Sequence, residues 1–393
     1  MLNSGPMFKM VETVTPGHPD KICDQIADAI LDEYLRRDPQ TRADIEVFGS
    51  HGMIAVGGTV ASKADFDCSS IVRRVYESIV GHNDVEPFVN VGADTSEDVC
   101  RWNETTIVHG YATRETREFL PRPYVIAQHL VRKLDQLRVN DPAFFWMKPH
   151  AKVTVVSSKH KITQVTILLD HASDIPANEV LRLCLERVIE PIMGDISGLE
   201  VRVNPYGAFR GGEFVTGSGS TGRKTAQDTY GGLIPHGVSA ICGKSPCLPD
   251  RSGVYMARFV AKDLVRSGVA DNVLVNVGYT GGREEPTFLQ AQSGDGKNLS
   301  GLLGVYDFRP SAIIERLDLR RPIYQRTASY GHFGDEQFPW ERRETLQMTG
   351  VEGTTAMVDS VAGPVTSHPH STSSPARKAA GVRWGTPASC HPL

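Results

Sequence analysis

Gly217-Ser218-Gly219-Ser220-Thr221-Gly222-Arg223-Lys224-Thr225 places a glycine-rich turn directly before two adjacent cations. Backbone amides in such a turn can cradle an anion while the cations reach over it, and paired Arg and Lys suit phosphate. The run differs from a P-loop by the inserted Arg223. Gly231, Gly232 and Pro235 also follow too soon for the long helix that a P-loop opens. Taken alone, the segment also fits a flexible surface loop. Asp20 and Asp250 each stand where a helix is predicted to start, the usual place of an N-cap aspartate. The other chemistry open to such a pair is Mg²⁺, which takes oxygen ligands and bridges a polyphosphate. His18, beside Asp20 and Lys21, suits a donor to a developing oxyanion or an ordinary surface hydrogen bond. Lys152 at the opening of a predicted strand and Lys244 in a Gly-Lys-Ser loop are further cations. Cys242 and Cys247 flank that loop, and without a second pair they make no zinc site.

The elements that must position these residues follow from periodicity. Ile22, Ile26, Ile30 and Tyr34 recur every four residues and predict a first helix, with His18, Pro19 and Asp20 at its N-terminus. Ile45 and Val47, then Met53 to Val56 before Gly57-Gly58, predict a hairpin. Lys152 to Ser157 and Ile162 to Leu169 predict two more strands, followed by a helix from about Val180 to Ile189 that Pro191 ends. A helix from about Asp250 to Arg266, stopped by Gly268, and a strand from Val273 to Val277 close a third round. The expected fold class is α+β, built from three units of about a hundred residues each. From Gln347 onward Gly, Ser, Thr, Pro and His dominate, which predicts a disordered tail.

Composition narrows the functions. The 393 residues are 40% hydrophobic and 22% charged, enough for one or more full cores. Lys plus Arg (42) against Asp plus Glu (46) leaves a net charge of −4, so no whole-chain basic field favours nucleic acid or an anionic membrane. The seven cysteines are an odd number without framework spacing and suit a reducing compartment. No stretch approaches the length of a membrane span. A cytoplasmic protein is expected.

The motifs in combination point further. Gly17-His18-Pro19-Asp20-Lys21, Gly52-Met53 through Gly57-Gly58, Gly110-Tyr111-Ala112-Thr113, Thr221-Gly222-Arg223-Lys224 with Asp228-Thr229-Tyr230-Gly231-Gly232, Asp250-Arg251-Ser252 and Tyr330-Gly331-His332-Phe333-Gly334 closely resemble the S-adenosylmethionine synthetases in order and spacing. The resemblance runs from residue 10 to 341. It implies three similar α+β domains with pseudo-threefold symmetry, over residues 10–104, 105–211 and 212–345, with the disordered tail at 346–393. It also implies a homodimer with active sites between subunits as the minimal active unit; pairing of such dimers into a tetramer is left open by the sequence. In the family, the sulfur of methionine attacks C5′ of ATP, triphosphate leaves, and it is then cleaved to pyrophosphate and phosphate. That chemistry needs cations around a growing negative charge more than it needs a nucleophilic side chain.

Carried over residue by residue, the resemblance makes His18, Lys152, Arg223 and Lys244 catalytic, with His18 near the departing O5′ and the three cations on the polyphosphate. Lys21, Lys224 and Asp228 fall to ATP binding, and Phe209 to stacking on adenine. Asp20 and Asp250 correspond to ligands of Mg²⁺, two ions being expected, and Glu46 to the carboxylate of a K⁺ site. The acceptor half departs from the pattern: Thr59 replaces a glutamate, Asp94 a glutamine, Gly217 an aspartate and Leu248 a lysine. The mobile loop is shortened to Arg101-Trp102-Asn103-Glu104-Thr105-Thr106, and His150 stands where an aspartate is expected beside Lys152. These changes predict an adenosyltransferase whose acceptor is methionine or, more in keeping with the pocket, another small nucleophile. Two alternatives remain at this point: an ATP or tripolyphosphate hydrolase without an organic acceptor, and an inactive nucleotide-binding paralogue.

Overall fold

The computed structural model describes residues 8–94, 102, 104–159, 161–207, 209, 214 and 217–342. Strand β1 (Phe8–Val14) leads into helix α1 (Pro19–Arg37), the hairpin β2 (Arg42–Ser50) and β3 (Met53–Ala61), helix α2 (Cys68–Val80), and the short strands β4 (Glu86–Val89) and β5 (Gly92–Ala93). Then come β6 (Thr106–Thr113), α3 (Arg122–Asn140), the long pair β7 (Met147–Ser158) and β8 (Lys161–His171), α4 (Ala177–Cys184), α5 (Glu190–Met193) and β9 (Glu200–Val203). The last group is β10 (Ser218–Ser220), α6 (Thr225–Tyr230), α7 (Pro249–Arg266), β11 (Asn272–Tyr279), β12 (Phe288–Ser293), α8 (Pro310–Leu317) and α9 (Tyr324–Tyr330).

The strands of the described residues form three sheets, ordered β1-β7-β8-β9, β10-β2-β3-β4 with β5 also on β3, and β12-β11-β6. No sheet is drawn from one stretch of sequence. β1 from the first third pairs antiparallel with β7 of the second, β6 from the second with β11 of the third, and β10 from the third with β2 of the first. Each third lends one strand to the next in a cycle. The three longest helices lie over these joins: α1 packs on β2 and the lent β10, α3 on β7 and the lent β1, and α7 on β11 and the lent β6. This repeated helix-on-mixed-sheet unit is the expected α+β architecture.

Helix α1 follows from its sequence. Ile22, Ile26 and Ile30 are fully buried on one face, and burying each such side chain is worth about 1.5–3 kcal/mol. Its N-cap is His18, whose ring accepts from the Asp20 amide. At α7 the N-cap is Leu248, without a side-chain bond. Neither Asp20 nor Asp250 is therefore a cap; both lie inside the first turn, with their carboxylates directed elsewhere. Lys152 does not open its strand but sits within β7, opposite Val14 and Leu168. The helix at Val180 does not end at Pro191. A π-helical turn, Leu185–Ile189, joins α4 to α5, and Pro191 lies in the first turn of α5. Pro191 follows directly on that widened turn, and Gly194 at φ 71° ends the helix. The tail at 346–393 lies outside the described residues, as do Arg101 and Asn103 of the shortened loop.

Candidate active site

Two groups of functional side chains form, both anchored on α1. The first surrounds the N-terminus of that helix. Asp20 accepts Lys224 Nζ at 2.8 Å and the Ser220 amide at 3.0 Å, with Arg223 Nη1 at 3.8 Å. Strand β10 approaches so closely that a Cβ on Gly219 would lie 2.2 Å from the Pro19 carbonyl oxygen, so only glycine fits there. Thr221 N donates to the Val47 carbonyl and Gly222 N to Asp24 Oδ1 at 2.9 Å. The expectation of an amide cradle is thereby corrected: three of its amides are bound within the protein, and what the loop offers a ligand is the side chains of Arg223 and Lys224.

His18 is almost fully buried, and its Nδ1 accepts from the Asp20 amide at 3.1 Å. Burial first, then the charges of His150, Lys224, Lys152 and Lys21, hold the imidazole well below its ordinary pKa. A neutral ring that accepts at Nδ1 must carry its proton on Nε2, so His18 is a donor at that atom. The His150 ring packs edge-on against His18 at 4.7 Å and against Phe209 at 5.1 Å. The three rings form a continuous aromatic wall, with Phe209 half-buried. His150 belongs to this wall although its role was not legible in the sequence.

Lys21 and Asp228 are also brought together, but with each other. Lys21 has no exposed surface, and its ammonium is ion-paired to Asp228. Burial opposes the charge on Lys21, and Asp228 and Asp24 outweigh it. Lys21 and Asp228, both carried over to ATP binding, thus form a buried ion pair with each other.

The second group lies where the Gly243–Ser245 segment runs beside β2. Lys244 Nζ is 3.5 Å from Asp250 Oδ1 and 3.8 Å from Asp44 Oδ2. Asp250 Oδ2 accepts Thr106 Oγ1 at 3.0 Å. Asp44 Oδ1 is buried without a hydrogen-bond partner. Burial pushes the Asp44 carboxyl up; Lys244 opposes the shift, while Glu46, Asp250 and Glu104 add to it. Asp44 was not singled out from the sequence, yet alternation along β2 puts it on the exposed face with Glu46, and that parity is the signal that would have found it. Asp44 also lies directly opposite Thr59 in the β2–β3 register.

The other acceptor-side positions are partly gathered here. Asp94 meets Arg42 Nη2 at 3.4 Å, and its amide donates to Val60. Leu248 immediately precedes α7 and packs on the core. Gly217 lies apart from these, just before β10 in the first group. No hydrogen bond or ion pair between described residues joins the cations of the first group to Lys244 or Asp250.

Among the described residues, no group of three or more His, Cys, Asp or Glu is placed to enclose a metal ion. Asp20 and Asp250 each offer one carboxylate with hard oxygen donors. That fits Mg²⁺ in its usual phosphate-bridging mode, where one or two carboxylates suffice and phosphate and water oxygens complete the shell. Glu46 exposes a single carboxylate, compatible with a weakly held monovalent ion. No described helix is long and apolar enough to cross a membrane.

Family models for the N-terminal, central and C-terminal domains of S-adenosylmethionine synthetase match residues 7–95, 102–209 and 211–342. Over 387 residues the chain is 36% identical to the S-adenosylmethionine synthase of Petrotoga mobilis, covering 86% of this chain and 96% of the relative. It is 34% identical over 370 residues to that of Aquifex aeolicus, covering 86% and 97%. For that of Deinococcus radiodurans the identity is 36% over 396 residues, covering 86% and 96%.

Proposed function

The chain belongs to the S-adenosylmethionine synthetase family and is a transferase of that kind; from this premise we propose that it joins C5′ of ATP to a small nucleophile with departure of triphosphate, which it then cleaves to pyrophosphate and phosphate. The observation that carries the reading is the grouping of a neutral, Nε2-protonated His18 with Lys224, Arg223 and Asp20, within electrostatic reach of Lys152. Such a group stabilises a leaving polyphosphate as its charge grows.

In this reading His18 Nε2 donates to the departing O5′, while Lys152, Arg223 and Lys224 hold the phosphates and keep C5′ in line with the nucleophile. Phe209 offers its ring to adenine. Asp20 and Asp250 are the residues that would hold Mg²⁺, two ions in all, and Glu46 the one that would hold K⁺. Bound there, these cations supply charge neutralisation on the triphosphate. Lys21, ion-paired to Asp228, adds a further positive charge beside His18.

The separation of the two groups supports a homodimer, in which the Lys244–Asp250 group of one subunit completes the His18–Lys224 group of its partner. Phe48 and Phe88, 39% and 57% exposed on the sheet that carries Glu46, supply apolar surface for such a contact. A tetramer would be a pair of these dimers.

For the acceptor, the relatives' names supply methionine. A second reading, another small nucleophile, is favoured by one observation: Thr59 and Leu248 carry no charge, and Asp94 is already tied to Arg42. Burying an ammonium or carboxylate without partners costs several kcal/mol. Incubation with ATP, Mg²⁺ and K⁺, with and without methionine and across a panel of thiols, thioethers and amines, separates the readings by product mass. S-adenosylmethionine at an ordinary turnover establishes methionine, and a different adenosyl product establishes the altered acceptor. Tripolyphosphate cleavage without any adenosyl product across that panel identifies a hydrolase. An inert protein overturns the assignment as an inactive paralogue.

A further inference from the structure

We propose that Asp28 and Arg251 are positioning residues that set the location of the Lys244 ammonium, an inference that rests on the role given to Lys244 above. Both side chains are fully buried, so neither touches a ligand. Asp28 Oδ1 accepts the Gly243 amide at 2.8 Å, and Arg251 Nε donates to the Lys244 carbonyl oxygen. The peptide unit that follows Lys244 and the one that enters Gly243 are thus held by two side chains that are ion-paired to each other. Arg251 is fixed in turn by Tyr255, whose hydroxyl lies 3.0 Å from Nη1, and by the Tyr324 ring 4.2 Å beneath the guanidinium.

The backbone cannot move away from this grip. Gly243 has φ +80°, and a Cβ there would lie 1.9 Å from the Ile45 carbonyl oxygen. Ile45 N donates to Gly243, and Ser245 N to Ala43, which docks the segment on β2. The side chain of Lys244 therefore leaves a clamped main chain towards Asp250, the neighbour of Arg251 in the first turn of α7. A buried ion pair contributes little net stability compared with apolar packing of the same volume. What this pair supplies is geometry. The planar guanidinium reads a carbonyl and a carboxylate at once through a rigid fork, a fixed geometry that the rotatable ammonium of a lysine does not impose.

The test is a double-mutant cycle in the full-length protein, comparing wild type, Lys244→Ala, Arg251→Lys and the double variant for kcat and KM of ATP turnover and for thermal midpoint. If Arg251 acts through Lys244, Arg251→Lys lowers kcat by about 10- to 100-fold in wild type but less than about twofold in the Lys244→Ala background, while the thermal midpoint falls equally in both. Asp28→Asn, which keeps an acceptor oxygen for Gly243, gives the same pattern with a smaller loss and serves if Arg251→Lys does not fold. Equal loss of kcat in both backgrounds, or no loss in wild type, overturns the proposal. A Lys244→Ala enzyme with the wild-type rate instead overturns the role given to Lys244.

Discussion

The two halves of the site hang from one helix and differ in charge balance. Around Asp20 stand Lys224, Arg223 and, through its field at His18, Lys152, three cations beside the Asp20 carboxylate. Around Lys244 the ratio reverses, with Asp44 and Asp250 within 4 Å and Glu46 and Glu104 acting on Asp44. The first half suits a bare polyanion. The second suits an anion that arrives with a bridging metal, or a ligand that is itself cationic. Asp20 and Asp28 lie eight residues apart on α1, so the loops they anchor are offset by about 12 Å along the helix. The lesson is that a single rigid helix can fix the relative placement of two chemically opposite surfaces.

The strongest challenge to this contrast is Asp20→Asn. The amide keeps an acceptor for the Ser220 N–H but leaves Lys224 without its buried counter-charge. ATP cleavage should fall by about a thousandfold or more, roughly 4 kcal/mol in the barrier, and Lys152→Ala should abolish it likewise. Near wild-type rates in either variant, measured by adenosyl product and phosphate release, would remove the first half as the polyanion clamp.

A second prediction sharpens the neutrality of His18. Its folded pKa lies well below that of the unfolded chain, so below pH 6.5 the unfolded state takes up a proton that the native state refuses, and stability falls with acid. His18 accounts for about 1.4 kcal/mol of loss per pH unit below 6.5. Urea denaturation of His18→Gln between pH 6 and 5 should show a slope shallower by that amount. An unchanged slope would mean that the ring is protonated in the folded protein.

The smallest effect concerns the second half. Asp44→Asn frees Lys244 from one carboxylate that shares it. Tripolyphosphate should then inhibit more tightly, by roughly fivefold, on the order of 1 kcal/mol for a partly exposed pair. Weaker inhibition would mean that Asp44 helps to hold the metal-bridged anion rather than tempering Lys244.

Much of the frame was legible beforehand. The four-residue spacing of Ile22, Ile26 and Ile30 marked α1, alternation at Ile45 and Val47 marked β2, and Gly268 marked the end of α7. The spaced motifs led to the right family. The π-helical turn at Leu185–Ile189 was not legible, because apolar periodicity does not distinguish a locally widened turn from a regular one. The cyclic lending of β1, β6 and β10 was equally hidden. A strand's own residues encode its two faces, whereas its edge partner depends on which strand lies nearby after the chain has folded.

For the site, residue type and order along the chain were enough to set out which groups can carry charge, donate a proton or hold a hard cation, because those properties belong to side chains. Which of them remain available was settled by tertiary structure. Folding tied the Ser220 and Gly222 amides to Asp20 and Asp24, sealed Lys21 against Asp228, and left Asp44 beside Lys244 with an unpaired oxygen. Each outcome depends on groups distant in sequence meeting within a few ångströms, where burial and pairing decide what a charge can do.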